Sequence, residues 1–143
     1  MKPAVLTIVI SLLLVLPTRT QTQSNVALEK YRWALPERPF NCETNLQHLE
    51  DLKVMVANQP DRDGLLIMLA RLGDGERRRD LNRRRLENVR RGLTNNLGIA
   101  ERQIIVGESA RVRGYGRVEF YLAGQMVGIL PVHRNSATIK CEF

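Results

Sequence analysis

The sequence predicts an α+β domain: a two-layer α/β sandwich of βαβαββ type, with two helices packed on one face of a mixed sheet. Three observations predict it. Leu65–Ala70 is a continuous apolar run of six, bounded by turn signals, as a strand buried on both faces would be. It lies between two segments whose apolar residues recur at three and four, which is helical spacing. Val118–Leu122 and Met126–Val132 flank a short turn and pair as a hairpin. A strand–helix–strand unit around a buried strand calls for layered packing. At 143 residues and 43% hydrophobic content, the chain supports one core but not two domains with a linker.

The chain begins with an address. Met1-Lys2 is followed by an apolar run from Ala4 to Leu16, then a polar stretch, Thr18 to Ser24. Thirteen helical residues rise about 20 Å, short of the roughly 30 Å hydrocarbon core, so residues 1–20 are expected to be a secretory signal peptide. No later segment approaches membrane-spanning length. Residues 21–41, with Pro36 and Pro39, form a linker or extended lead-in, with a short edge strand expected near Phe40. The folded domain then covers residues 42–143.

Glu43–Asn58 is the first helix: Leu46, Leu49, Leu52 and Val56 share its apolar face, and Thr44 is placed to cap it. Gln59–Gly64 is a turn leading into the buried strand, which Gly73-Asp74-Gly75-Glu76 ends. Asp80–Leu97 is the second helix, with Asp80 at its start and Gly98 just past its end. Short strands follow at Gln103–Val106, Val118–Leu122 and Met126–Val132, and the tail from His133 is polar up to Cys141. Export gives Cys42 and Cys141 a meaning. Outside the cytoplasm two thiols usually pair, and these two bracket the folded part. Closing a loop of about 100 residues is worth roughly 4–5 kcal/mol in the chain-entropy account.

One position in the second helix breaks its pattern. Leu81, Arg85, Val89, Leu93 and Leu97 fall on one stripe, which should face the sheet. A guanidinium on that stripe must be paired or must meet a ligand. The acid expected to serve it is Asp74, on the strand-end turn, and such loops are where sites gather in α/β folds. Asp74 and Arg85 together would suit a small zwitterion, the carboxylate meeting an ammonium and the guanidinium a carboxylate. The alternative is structural: Arg85 reaches the helix edge, or pairs with Asp74 or Glu87.

Leu81-Asn82, Arg85, Val89, Leu93, Gly98-Ile99 and Arg117-Val118-Glu119 stand at the spacing of a known pattern. Through them, Leu65 to Leu122 resembles the peptidoglycan-binding domain at the C-terminus of outer membrane protein A, shared with the Pal lipoprotein and flagellar MotB. Gly73, Arg77, Arg78 and Leu86 replace that family's Thr, Gly, Asn and Ala. The resemblance implies an envelope protein of a Gram-negative bacterium, in the periplasm or at the outer membrane. It implies that Asp74 and Arg85 grip the diaminopimelate end of the peptidoglycan stem peptide.

Other classes find little footing. No Gly-x-Ser-x-Gly elbow, His-Glu-x-x-His pair or phosphate loop is present, so no enzyme and no cofactor is expected. No metal centre is expected. The net charge is +7, but removing residues 1–20 leaves +5, the same excess that residues 71–91 carry. The basic character therefore belongs to one loop and one helix. Arg77-Arg78-Arg79 and Arg83-Arg84 give that element a basic surface suited to peptidoglycan, another anionic envelope component or a protein partner. Nucleic acid is disfavoured by the export signal and by the lack of interleaved aromatics.

Overall fold

The computed structural model describes residues 38–59 and 64–138. The expected signal peptide, the lead-in up to residue 37 and Cys141 lie outside them. The described chain runs α1 (Cys42–Ala57), β1 (Leu66–Arg71), α2 (Leu81–Arg91), β2 (Ile104–Ser109), β3 (Arg117–Leu122) and β4 (Gln125–Pro131). The strands form one mixed sheet in the order β2-β1-β3-β4. β1 and β2 are parallel, while β1 with β3 and β3 with β4 are antiparallel. The class is α+β, as the hydrophobic pattern predicts.

The register divides the sheet into two unlike faces. Leu66, Met68 and Ala70 of β1 and Val118, Phe120 and Leu122 of β3 point to one side, in a single cluster with Leu49, Leu52 and Met55 of α1 and Leu86 and Val89 of α2. Both helices thus cover the same face. The alternate residues Ile67, Leu69 and Arg71 are only half-buried, and Leu65 is 47% exposed. The expectation of a strand buried on both faces is corrected here: β1 is sealed only where helices lie over it.

Element ends also differ from expectation. No strand precedes α1 among the described residues; Phe40 lies in the approach to the helix, its ring edge-on to His48 at a centroid distance of 4.8 Å. The cap of α1 is Asn41, whose side chain accepts from the Thr44 amide at 2.9 Å, so Thr44 is the capped residue rather than the cap. Asp80 stands at the start of α2 but makes no capping bond; its carboxylate takes Arg78 at 2.8 Å instead. α2 passes into a wider π-type turn at Gly92–Asn96. A spacing of four overshoots a 3.6-residue turn by about 40° each time. The wider turn absorbs part of that drift, so Leu93 and Leu97 remain buried with Leu81, Arg85 and Val89. Gly98, at φ +71°, then reverses the chain. The β3–β4 hairpin turns on Ala123-Gly124, both at positive φ as a type I′ turn requires.

Candidate functional site

Arg85 is as central as its place on the apolar stripe implies: it is 0% exposed, in the same stripe as Leu81 and Val89. Its partner is Glu76, not Asp74. Arg85 Nη2 donates to Glu76 Oε1 at 2.5 Å and Nη1 to Oε2 at 2.9 Å, a two-pronged pair buried at both ends. Arg85 Nε donates to the Ser136 carbonyl at 3.0 Å. Glu76 in turn accepts from the Gly73 amide at 2.8 Å and the Asn135 amide at 3.0 Å. Burial pushes the Glu76 carboxyl up, but the Arg85 guanidinium and the two amides outweigh it and hold it below its ordinary value.

Backbone packing closes the pair off. A Cβ on Gly116 would lie 2.3 Å from Arg85 Nη1 and 2.4 Å from Glu76 Oε2, so the backbone of the 110–116 loop rests directly on the ions. Gly73 meets Gly116 as closely: its Cβ would come within 2.3 Å of the Gly116 nitrogen. The C-terminal turn is strapped down by the same group. Asn135 and Ser136 bond Glu76 and Arg85, and Asn88 Nδ2 donates to the Ala137 carbonyl at 2.8 Å.

Asp74 does something else. It is exposed, its amide donates to the Gly114 carbonyl at 2.8 Å, and its Oδ2 accepts from the Gly114 amide at 2.8 Å. It pins the strand-end turn to the 110–116 loop. The expected grip of Asp74 and Arg85 on one zwitterion is therefore not assembled: Glu76 already stands against the guanidinium, where a ligand carboxylate would bind. The alternatives of pairing with Asp74 or Glu87 are likewise set aside. Glu87 lies with Arg90 at 2.9 Å and Arg91 at 3.7 Å.

The arginine surface is present. Arg77, Arg78, Arg79, Arg83 and Arg84 are all exposed along the loop before α2 and its first turn. Asp80 holds Arg78 at 2.8 Å and Arg84 at 3.7 Å. Arg77, Arg79 and Arg83 make no ion pair among the described residues. Cys42 opens α1, and its expected partner Cys141 lies outside the described residues.

Two functional groups escape sequence reasoning. Glu76 lies two residues beyond Asp74, on the same turn, and only the fold tells which acid turns inward. Glu119 is 2% exposed on the sheet face opposite the helices. Arg71 Nε reaches its Oε2 at 2.8 Å, Arg117 Nε its Oε1 at 2.7 Å and Tyr121 Oη its Oε2 at 2.8 Å. Burial pushes this carboxyl up, and Arg71, Tyr121 and Arg117 together pull it below its ordinary value. The alternation Arg117, Glu119, Tyr121 is a visible signal of a polar strand face; Arg71 joins it only through register. No helix among the described residues is long and apolar enough to cross a membrane, and no group of three or more His, Cys, Asp and Glu there could hold a metal ion.

Compared with family models, curated proteins and solved structures, the chain matches none, so its assignment rests on the residues themselves.

Proposed function

We propose that this chain is a non-catalytic binding module of the cell envelope, exported by its N-terminal segment and stapled by a Cys42–Cys141 bridge. Its working surface is the arginine-rich edge formed by Arg77, Arg79 and Arg83 with Arg78 and Arg84. Its partner is an anionic envelope component, with peptidoglycan, whose stem peptides carry carboxylates, the first to test. The outer-membrane-protein-A-like resemblance supports the compartment and the ligand class. The observation that carries the choice of surface is the two-pronged Glu76–Arg85 pair. A guanidinium with no exposed area and an internal carboxylate in its fork has no vacancy for a ligand. Binding through it would first require breaking a buried ion pair, at about 3–5 kcal/mol.

Purified cell-wall sacculi provide the test. Wild type should be retained at low ionic strength and released steeply as salt rises, because exposed charges are screened within about 8 Å at physiological salt. The triple variant Arg77→Gln, Arg79→Gln, Arg83→Gln should lose retention while melting like wild type. Retention of that variant at the wild-type level would defeat the surface assignment. Failure of wild type to bind sacculi at any salt would defeat peptidoglycan as the ligand.

A further inference from the structure

The second ionic network differs from the first in one respect that gives it chemistry to spare. Around Arg85 the guanidinium is enclosed. Around Glu119 the carboxylate is enclosed and the guanidiniums reach outward: the side chains of Arg71 and Arg117 are 22% and 32% exposed, against 2% for Glu119. Two cations share one anion, leaving one positive charge on the face.

Register fixes how close the two cations stand. Arg71 of β1 and Arg117 of β3 are direct antiparallel partners, so their Cβ atoms sit about 4.5–5.5 Å apart on the same face. Like charges directly opposite are destabilising unless something negative lies between them. Glu119, two residues along β3, neutralises one charge and orients both side chains. On the other flank of Arg71, β2 places Ser109 in the same row. Ser109, Arg71 and Arg117 thus span three adjacent strands, roughly 10 Å at the usual spacing.

The donors are not all used. Arg71 spends Nε on Glu119 and Nη1 on the Ala110 carbonyl at 3.3 Å. Arg117 spends Nε and Nη2 on Glu119. Arg71 also lies within hydrogen-bonding reach of the Tyr121 hydroxyl. Nη1 of Arg117 has no acceptor among the described residues. It carries two N–H groups, and the Ser109 hydroxyl adds another donor to the row.

We propose that Ser109, Arg71 and Arg117 form an oxyanion-binding site on the sheet face opposite the helices, which takes one phosphate or carboxylate group of a ligand. Glu119 is its positioning residue, holding the two forks apart and preventing their charge from adding up. The site is separate from the arginine edge of α2 and does not depend on it.

Inorganic phosphate and acetate, each against sodium chloride at matched ionic strength, are the probes, with amide chemical shifts of the folded protein as the readout. The expected result is saturable shifts clustered on Ser109, Arg71 and Arg117 with at least one of the two anions and none with chloride. Response to phosphate alone identifies a phosphate-bearing ligand, and response to acetate alone a carboxylate-bearing one. Arg117→Gln, which keeps a donor for Glu119, should weaken binding at least tenfold, and Arg71→Gln serves the same purpose where Arg117→Gln does not fold. No saturable shift with either anion overturns the proposal. So do shifts confined to Arg77, Arg79 and Arg83, though that result would leave the α2 surface reading intact. Unchanged affinity in both glutamine variants overturns it as well.

Discussion

Glu76→Ala is the sharpest probe of the core. The substitution removes the acceptors of four hydrogen bonds: two from Arg85, at 2.5 and 2.9 Å, and one each from the Gly73 and Asn135 amides. It leaves a fully buried guanidinium with the Ser136 carbonyl at 3.0 Å as its remaining acceptor among the described residues. Hydrogen bonds to a charged group are worth about 1.5–3 kcal/mol each, so simple addition gives roughly 6–12 kcal/mol. That sum is an upper limit, because the vacated space admits water and the 133–138 turn is free to shift. Removing one partner of a buried ion pair costs about 3–5 kcal/mol, and this is the expected loss. With a urea slope of about 2 kcal/mol/M, the unfolding midpoint should fall by roughly 1.5–2.5 M. The companion is Glu76→Leu with Arg85→Met, which replaces both ions with apolar groups of similar size. It should recover most of the loss, since such exchanges are often neutral or better. A loss below about 1 kcal/mol in Glu76→Ala, or a double variant no more stable than the single, would refute the view of Glu76–Arg85 as a closed structural pair.

Three further outcomes are expected. Gly116→Ala drives a methyl to within 2.3 Å of Arg85 Nη1 and should lower thermal stability by about 1–3 kcal/mol, measured by calorimetry; a wild-type melting temperature would contradict the packing. Stability should fall in acid. Glu76 and Glu119 both titrate below their ordinary value of 4.5 when folded, so their contribution is complete above that pH. It is lost as pH falls through the depressed folded values, because the unfolded chain binds the protons first. A denaturation free energy that stays flat from pH 5 to pH 2 would contradict this. Finally, thiol titration of the unreduced, denatured protein should find no free thiol, and Cys42→Ser should cost roughly 4–5 kcal/mol; two titratable thiols would disprove the bridge.

Much of the architecture is legible in the pattern of apolar residues. Spacings of three and four mark α1 and α2, the run at Leu65–Ala70 marks β1, and the turn after Leu122 marks the hairpin, because each signal is local and acts through burial or backbone conformation. The caps were less legible: Asn41 and Thr44 are both capping residue types, and the choice depends on where the chain enters the helix. The site was legible by half. Arg85 declares itself by standing in a row of leucines and valines, yet its partner does not. Asp74 and Glu76 share one turn, and which of them faces inward depends on how the 110–116 loop and the C-terminal turn close over it.

What the sequence determines by itself is the two helices, the central strand and the hairpin, the single core and the burial of one arginine. Those follow from periodicity and charge, which every residue carries with it. The tertiary structure decides the pairings. It turns Glu76 rather than Asp74 toward Arg85, and it sets Arg71 opposite Arg117 over Glu119. Ionic partners separated by 9 or 48 positions in the chain meet only when loops and strand register bring them together, and no local pattern encodes that distance.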